Sequence, residues 1–170
     1  MNVFVAGIHA VGKSYLCDQA ASTGGWKHSS ASALIKQELG GANWSAEKRV
    51  DDPNRNQRAL VAAVKRINDA GTRLLLDGHF VLRGNDGAFI PLQADVFDAL
   101  NLSAVVLIES PASTIAERLK SRDGVVANEE DIEAFLKVER SQAQSVCGAL
   151  GLRLTVLSSP DFAKFSDALA

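Results

Sequence analysis

Residues 7–14 read GIHAVGKS, and this stretch decides the fold. It fits the pattern G-x-x-x-x-G-K-[S/T] and lies between an apolar run at residues 2–6 and a helical pattern that begins near Gly12. A strand, a glycine-rich loop and a helix in this order are typical of a phosphate-binding loop. Such a loop surrounds phosphate oxygens with backbone N–H groups, and bulky residues at its glycines would block that approach. The sequence therefore predicts a nucleotide site here.

The residue types in and near this loop predict how ATP and Mg²⁺ are held. Lys13 supplies a cation for the β- and γ-phosphates, and Ser14 supplies a hydroxyl to Mg²⁺. Asp77 ends another apolar run and is predicted to hold Mg²⁺, either directly or through a water molecule. The predicted nucleotide-binding residues are Gly7, His9, Ala10, Val11, Gly12, Lys13, Ser14, Tyr15 and Arg118.

Apolar runs and helical patterns alternate along the rest of the chain. Strands are predicted at residues 71–78, 103–109 and 152–157, with a weaker candidate at 26–30, and the intervening helices at residues 55–71, 111–122 and 128–151. Because the strands are apolar throughout and separated by helices, they are expected to form a parallel sheet with helices on both faces. The prediction is an α/β protein with a P-loop NTPase fold in one domain over residues 1–170.

Composition limits the partners and the location. The chain has 170 residues, of which 46% are hydrophobic, and a net charge of -2, so it carries no overall basic excess for a nucleic-acid backbone. No apolar stretch is long enough to span a membrane, and no signal-peptide pattern follows Met1. Cys17 and Cys147 lack metal-ligand spacing and are expected to be reduced. These features predict a cytoplasmic protein that binds a small molecule and neither nucleic acid nor membrane.

A phosphate-binding loop identifies a ligand and leaves the reaction open. The guanine-specificity pattern Asn-Lys-x-Asp is absent, and the chain is short for an AAA-type motor. Gly78 and His79 follow Asp77 where a dedicated ATPase would have a general-base glutamate. These features favour phosphoryl transfer from ATP to an acceptor. His79 either orients the acceptor or caps the strand end, and the sequence leaves both open.

Arginines in the second half of the chain suit such a transfer, since a kinase must neutralise phosphoryl charge and exclude water. Arg118 and Arg122 lie one turn apart before a glycine-containing stretch, and about residues 120–130 are predicted to form a lid. Arg140 is predicted on the next helix, near the face that returns to the core. The predicted catalytic residues are Lys13, Asp77, Arg122 and Arg140. For each arginine, a solvated surface position is the alternative.

An acceptor segment is predicted at about residues 30–58, between the helix after the loop and the strand that ends at Asp77. Basic and amide side chains lie in this segment and just beyond Asp77, where they suit contacts with an acceptor. The predicted substrate-binding residues are Arg49, Gln57, His79 and Arg83.

Three stretches, at residues 74–101, 104–123 and 128–151, resemble the archaeal-type adenylate kinases. The shared features are a strand ending in Asp, followed by a small residue and His-Phe; a tight turn with Gly-aromatic and Pro; a short helix; an arginine-bearing lid; and a helix with an arginine followed by small residues. The resemblance implies a five-stranded parallel sheet with a small lid. It also implies transfer of the ATP γ-phosphate to a nucleoside monophosphate. By the same resemblance, Arg122 and Arg140 match lid-side arginines, and Arg83 and Arg49 match basic residues near the acceptor.

Two other functions remain open. One is a P-loop kinase of another small-molecule alcohol, for which Asp77 or His79 would take the hydroxyl proton. The other is a nucleotide-dependent binding or regulatory ATPase module, in which ATP orders the lid and the lid presents a surface to a partner. The sequence specifies neither the acceptor nor the oligomeric state.

Overall fold

The structure, a computed structural model, describes residues 1–40, 53–84 and 86–169. The predicted acceptor segment is therefore described only in part, and Arg49 lies outside the described residues. In chain order the elements are β1 (Asn2–Ala6), α1 (Lys13–Ser22), β2 (Lys27–Ser30), α2 (Ala31–Glu38), α3 (Pro53–Asp69), β3 (Leu74–Gly78), β4 (Val81–Arg83), β5 (Phe89–Pro91), α4 (Ala94–Asp98), β6 (Leu102–Glu109), α5 (Ala112–Asp123), α6 (Glu129–Leu150), β7 (Arg153–Ser158) and α7 (Phe162–Ala168).

Five parallel strands form the main sheet in the order β2-β3-β1-β6-β7. All four strands predicted from the sequence are present, and the weak candidate at residues 26–30 is the edge strand β2. The register pairs Val5 with Asp77 and Ala6 with Gly78. The carboxyl end of β3 therefore lies beside the end of β1, where the glycine-rich loop begins.

The core forms where helices cover this sheet. Every residue of β1 and β3 is buried, as expected for strands with both faces covered. Phe4, Phe80 and Phe97 form an aromatic cluster with ring centres 4.5–5.3 Å apart, which joins β1, the segment after β3 and helix α4. This cluster anchors the chain just beyond Asp77.

Helix α6 begins where the sequence pattern predicts it. Asn128 is the N-cap, and its Oδ1 accepts a hydrogen bond from the Glu130 N–H at 2.9 Å. The predicted lid region, about residues 120–130, contains the end of α5, a connection at residues 124–128 and the first turn of α6. Val126 in this connection is 86% exposed, so the segment lies open to solvent.

A turn that contains Asp86 and Gly87 joins β4 and β5, which pair antiparallel. Both cysteines are buried and free. None of the helices within the described ranges combines the length and apolar character that a membrane span requires.

Candidate nucleotide site

The glycine-rich loop connects β1 to α1 in a conformation that requires glycine at its first position. Gly7 has a φ of 139°, and a Cβ there would lie 2.3 Å from the carbonyl oxygen of Ile108. Gly12, with a φ of 103°, precedes the first residue of α1, and no side chain caps this helix start. The first N–H groups of α1 are thus left for another acceptor, and a phosphate fits that role.

Lys13 lies against the inner side of the loop. Its Nζ donates hydrogen bonds to the carbonyl oxygens of Gly7 at 2.6 Å and Ile8 at 3.1 Å, and the residue is 7% exposed. Burial lowers the pKa of Lys13, and the negative charges of Asp77 and Glu139 oppose that shift. These bonds hold the ammonium group beside the loop.

Ser14 and Asp77 meet at the carboxyl edge of the sheet. The Ser14 hydroxyl donates to Asp77 Oδ2 at 2.8 Å, and His28 Nε2 lies 2.8 Å from the same oxygen. Burial would raise the pKa of Asp77, but the hydrogen bonds from His28 and Ser14 and the charge of Lys13 outweigh it and lower the pKa. The carboxylate is therefore ionised at neutral pH.

These two residues fit the donor set that Mg²⁺ requires beside ATP. Mg²⁺ prefers oxygen ligands and in nucleotide sites takes one or two protein groups, with phosphate oxygens and water completing the octahedron. A hydroxyl and an ionised carboxylate 2.8 Å apart supply that pair. Within residues 1–40, 53–84 and 86–169 no group of three or more His, Cys, Asp or Glu forms a separate metal cluster.

His79 lies behind the loop, with its ring centre 4.4 Å from that of His9. Its Nδ1 is buried and has no hydrogen-bond partner in the described part of the chain. Burial, followed by the charges of Lys13 and His9, holds the pKa of His79 well below 6.5. The imidazole is therefore neutral at neutral pH.

Glu139 of α6 is a site residue that sequence reasoning missed. It is 1% exposed, and its two carboxylate oxygens accept the backbone N–H groups of Phe80 at 2.9 Å and Val81 at 2.8 Å. Burial raises the pKa of Glu139 to about 6, against the opposing effect of these two hydrogen bonds and the charge of Lys13. The signal was present, because residue 139 falls on the apolar stripe of Ile132, Phe135 and Ala143.

Arg118 and Arg122, both on α5, differ in what they contact. Arg118 contacts the loop: its Nη1 donates to the Ala10 carbonyl oxygen at 3.0 Å. The guanidinium group of Arg122 instead pairs with Asp123 and is exposed.

The prediction that Arg140 lies near the core-facing side of its helix is wrong. It is exposed and forms a two-pronged ion pair with Glu109 at the end of β6, with Nε 2.7 Å from Oε1. Glu139, one residue earlier, faces the core. Because successive residues of an α-helix are about 100° apart around its axis, Arg140 points towards solvent.

Among the described acceptor candidates, Gln57 and Arg83 have different surroundings. Gln57 lines a surface pocket of about 410 Å³ between α3 and α4, together with Arg58, Val61, Ala62, Asp95 and Val96. Arg83 is exposed, with its guanidinium carbon 5.7 Å from the ring centre of Phe89. Of the remaining loop residues, Val11 is buried, whereas His9 and Tyr15 are exposed.

The sheet order, the loop and the Lys13–Ser14–Asp77 grouping define a P-loop NTPase fold. The family model described as AAA domain matches residues 6–134, more than half of the chain. The chain belongs to this family. The match includes the loop and Asp77 and ends before Glu139.

Solved structures of kinase-like proteins share the fold. A sugar kinase from Janibacter sp. HTCC2649 has a TM-score of 0.60 and 18% sequence identity, over 98% of this chain and 90% of that one. A candidate kinase from Chloroflexus aurantiacus has a TM-score of 0.63 and 16% identity, over 99% and 95% of the two chains. A gluconokinase from Sinorhizobium meliloti 1021 has a TM-score of 0.55 and 15% identity, over 98% and 87%. No curated protein matches the sequence significantly.

Proposed function

We propose that this protein is an ATP-dependent phosphotransferase that moves the γ-phosphate of ATP to a small-molecule acceptor. The observation that carries the proposal is the meeting of Lys13, Ser14 and Asp77 beside the glycine-rich loop. In this proposal Lys13 neutralises charge on the β- and γ-phosphates, and Ser14 and Asp77 hold Mg²⁺. When bound, Mg²⁺ would supply positive charge that offsets the negative charge developing on the phosphates during transfer.

The residues after Asp77 differ from those of a dedicated ATPase, which would have a general-base glutamate there. A neutral imidazole, His79, lies near Lys13, and Gly78 precedes it. A hydroxyl acceptor must lose a proton as the new P–O bond forms, and this proposal assigns that proton to His79, whose Nδ1 has no hydrogen-bond partner among the described residues. Arg118, which contacts the loop at Ala10, is the described arginine best placed to neutralise donor phosphate charge.

The first candidate acceptor is therefore a hydroxyl-bearing small molecule. The names of two structural neighbours, a sugar kinase and a gluconokinase, point the same way. In addition, Arg122 and Arg140 already pair with Asp123 and Glu109, so these two arginines are not gathered around a second phosphate.

The second candidate acceptor is a nucleoside monophosphate. The resemblance of residues 74–101, 104–123 and 128–151 to archaeal-type adenylate kinases favours it. Its phosphate oxygen is already an anion and needs no base, so this candidate assigns His79 to orienting the acceptor and requires Arg122 and Arg140 to exchange their present partners for phosphate.

A phosphotransfer assay tests the proposal and separates the acceptors. The purified protein is incubated with radiolabelled ATP and Mg²⁺, and with either nucleoside monophosphates or a panel of sugars and sugar acids. Lys13→Ala is the control for the loop. Label transferred to one acceptor, and lost with Lys13→Ala, is the expected result. ATP binding without transfer to any acceptor would contradict the proposal and favour a nucleotide-dependent binding module.

A further inference from the structure

A hydrogen-bonded chain of three side chains leads from α1 to the end of β3. His28 Nδ1 lies 2.6 Å from Asp18 Oδ1, and His28 Nε2 lies 2.8 Å from Asp77 Oδ2. His28 therefore links the two carboxyl groups through its two ring nitrogens.

Two hydrogen bonds fix one carboxylate oxygen of Asp77. Oδ2 accepts from His28 of β2 and from Ser14 of α1, and both distances are 2.8 Å. Two donors from different elements hold the carboxylate plane in one orientation. Among the described residues no hydrogen bond reaches Oδ1, which leaves that oxygen for a further partner.

The side chains of His28 and Asp77 are sheltered, with relative exposures of 13% and 8%, whereas Asp18 is 72% exposed. A bond between two sheltered groups is stronger and better ordered than one in open water. Asp18 therefore anchors the outer ring nitrogen from the solvent side, and the oriented bond lies on the Asp77 side.

We propose that His28, anchored by Asp18, is a positioning residue that holds the carboxylate of Asp77 in the orientation needed by the divalent cation of the nucleotide. This inference rests on the proposed function only in requiring Mg²⁺·ATP at Ser14 and Asp77. It requires no particular acceptor. Groups that orient a metal-binding side chain typically affect metal affinity by about 10- to 100-fold.

Two amide substitutions separate positioning from general packing. In His28→Gln the amide nitrogen lies near the position of Nε2 and can donate to Asp77. In His28→Asn the amide nitrogen lies near the position of Nδ1 and can donate only towards Asp18. Both variants are neutral and polar, so a merely structural role would affect them alike.

The measurement is the affinity of a fluorescent ATP analogue, N-methylanthraniloyl-ATP, in excess EDTA and in excess Mg²⁺. The ratio of the two dissociation constants is the magnesium response. We expect His28→Asn to reduce the response by about 10-fold and leave the EDTA affinity unchanged. His28→Gln should keep most of the response, and Lys27→Ala, at an exposed position of the same strand, should keep all of it.

A full magnesium response in His28→Asn, or an equal loss in the Asn and Gln variants, would overturn the inference. A wild-type protein without a magnesium response would also overturn it. If circular dichroism shows that His28→Asn is unfolded, Asp18→Asn is measured in its place. This exposed change should also lower the magnesium response, but by less than about 10-fold, and an unchanged response would overturn the inference. A normal response without phosphotransfer to any acceptor would leave the inference standing and refute the proposed function alone.

Discussion

Replacing the buried carboxyl group of Glu139 should remove a component of the pH dependence of stability. Burial raises the pKa of Glu139 from an ordinary value of 4.5 to about 6 in the folded protein. The folded state therefore binds this proton more tightly than the unfolded state. The sign follows from linkage: the proton stabilises the fold below about pH 4.5, and that stabilisation is lost as the pH rises towards about 6.

The size of the effect follows from the same two values. Each pH unit between them corresponds to about 1.4 kcal/mol, so ionisation of Glu139 costs the fold about 2 kcal/mol at neutral pH. In Glu139→Gln this cost is absent. The amide can accept only one of the Phe80 and Val81 N–H groups, which costs about 1–3 kcal/mol at every pH. The ionisation of Glu139 is therefore measured only by how the free energies of unfolding of wild type and variant differ in their dependence on pH.

The assay is urea denaturation of wild type and Glu139→Gln at a series of pH values from 4 to 7. The free energy of unfolding of the wild type should fall by about 2 kcal/mol relative to the variant over this range. Glu133→Gln, an exposed change on the same helix, should follow the wild type. A difference that stays constant with pH, or one that changes in the opposite direction, would refute the reasoning. It would show that Lys13 and the backbone donors outweigh burial.

Three further predictions concern the loop and the base of the sheet. Lys13→Ala should weaken ATP binding and slow phosphotransfer by about 100-fold or more, because it removes the cation beside the loop; titration calorimetry and the transfer assay measure this, and unchanged affinity would contradict it. Gly7→Ala should abolish nucleotide binding, because its Cβ would lie 2.3 Å from the carbonyl oxygen of Ile108; an unaltered dissociation constant would contradict the geometry. Asn2→Ala should lower the free energy of unfolding by about 1–3 kcal/mol, because the Leu74 N–H that donates to Asn2 Oδ1 at 3.0 Å would stay buried without a partner. Urea denaturation measures that loss, and a variant as stable as wild type would show that the N–H finds another acceptor.

The local patterns predicted much of the fold. The strand, loop and helix around residues 7–14 could be predicted because glycine spacing, an apolar run and helical periodicity are properties of neighbouring residues. The same holds for α6, because its N-cap, Asn128, directly precedes the first turn of the helix in the sequence. The weak strand candidate at residues 26–30 was harder, since β2 is an edge strand with little buried surface of its own.

The candidate site was only partly predictable. Lys13, Ser14 and Asp77 stood out because each occupies a recognisable place in a motif or at a strand end. His28 carried no such signal, since its role depends on β2 lying next to β3 in the sheet. Arg122 and Arg140 suited phosphate by charge. Arg122 pairs with its sequence neighbour Asp123, whereas the partner of Arg140, Glu109, is brought near it only by the fold.

The sequence by itself determined the phosphate-binding loop, the parallel α/β class and the acidic strand end, because these depend on residue type and short spacing. Only the tertiary structure decided which distant groups share the site. Parallel strands bring together the ends of segments that lie tens of residues apart, so Asp18, His28 and Asp77 meet only once β2, β3 and β1 are placed in order. Burial acts in the same way: Glu139 is an ordinary glutamate until α6 packs it against the chain beyond Asp77.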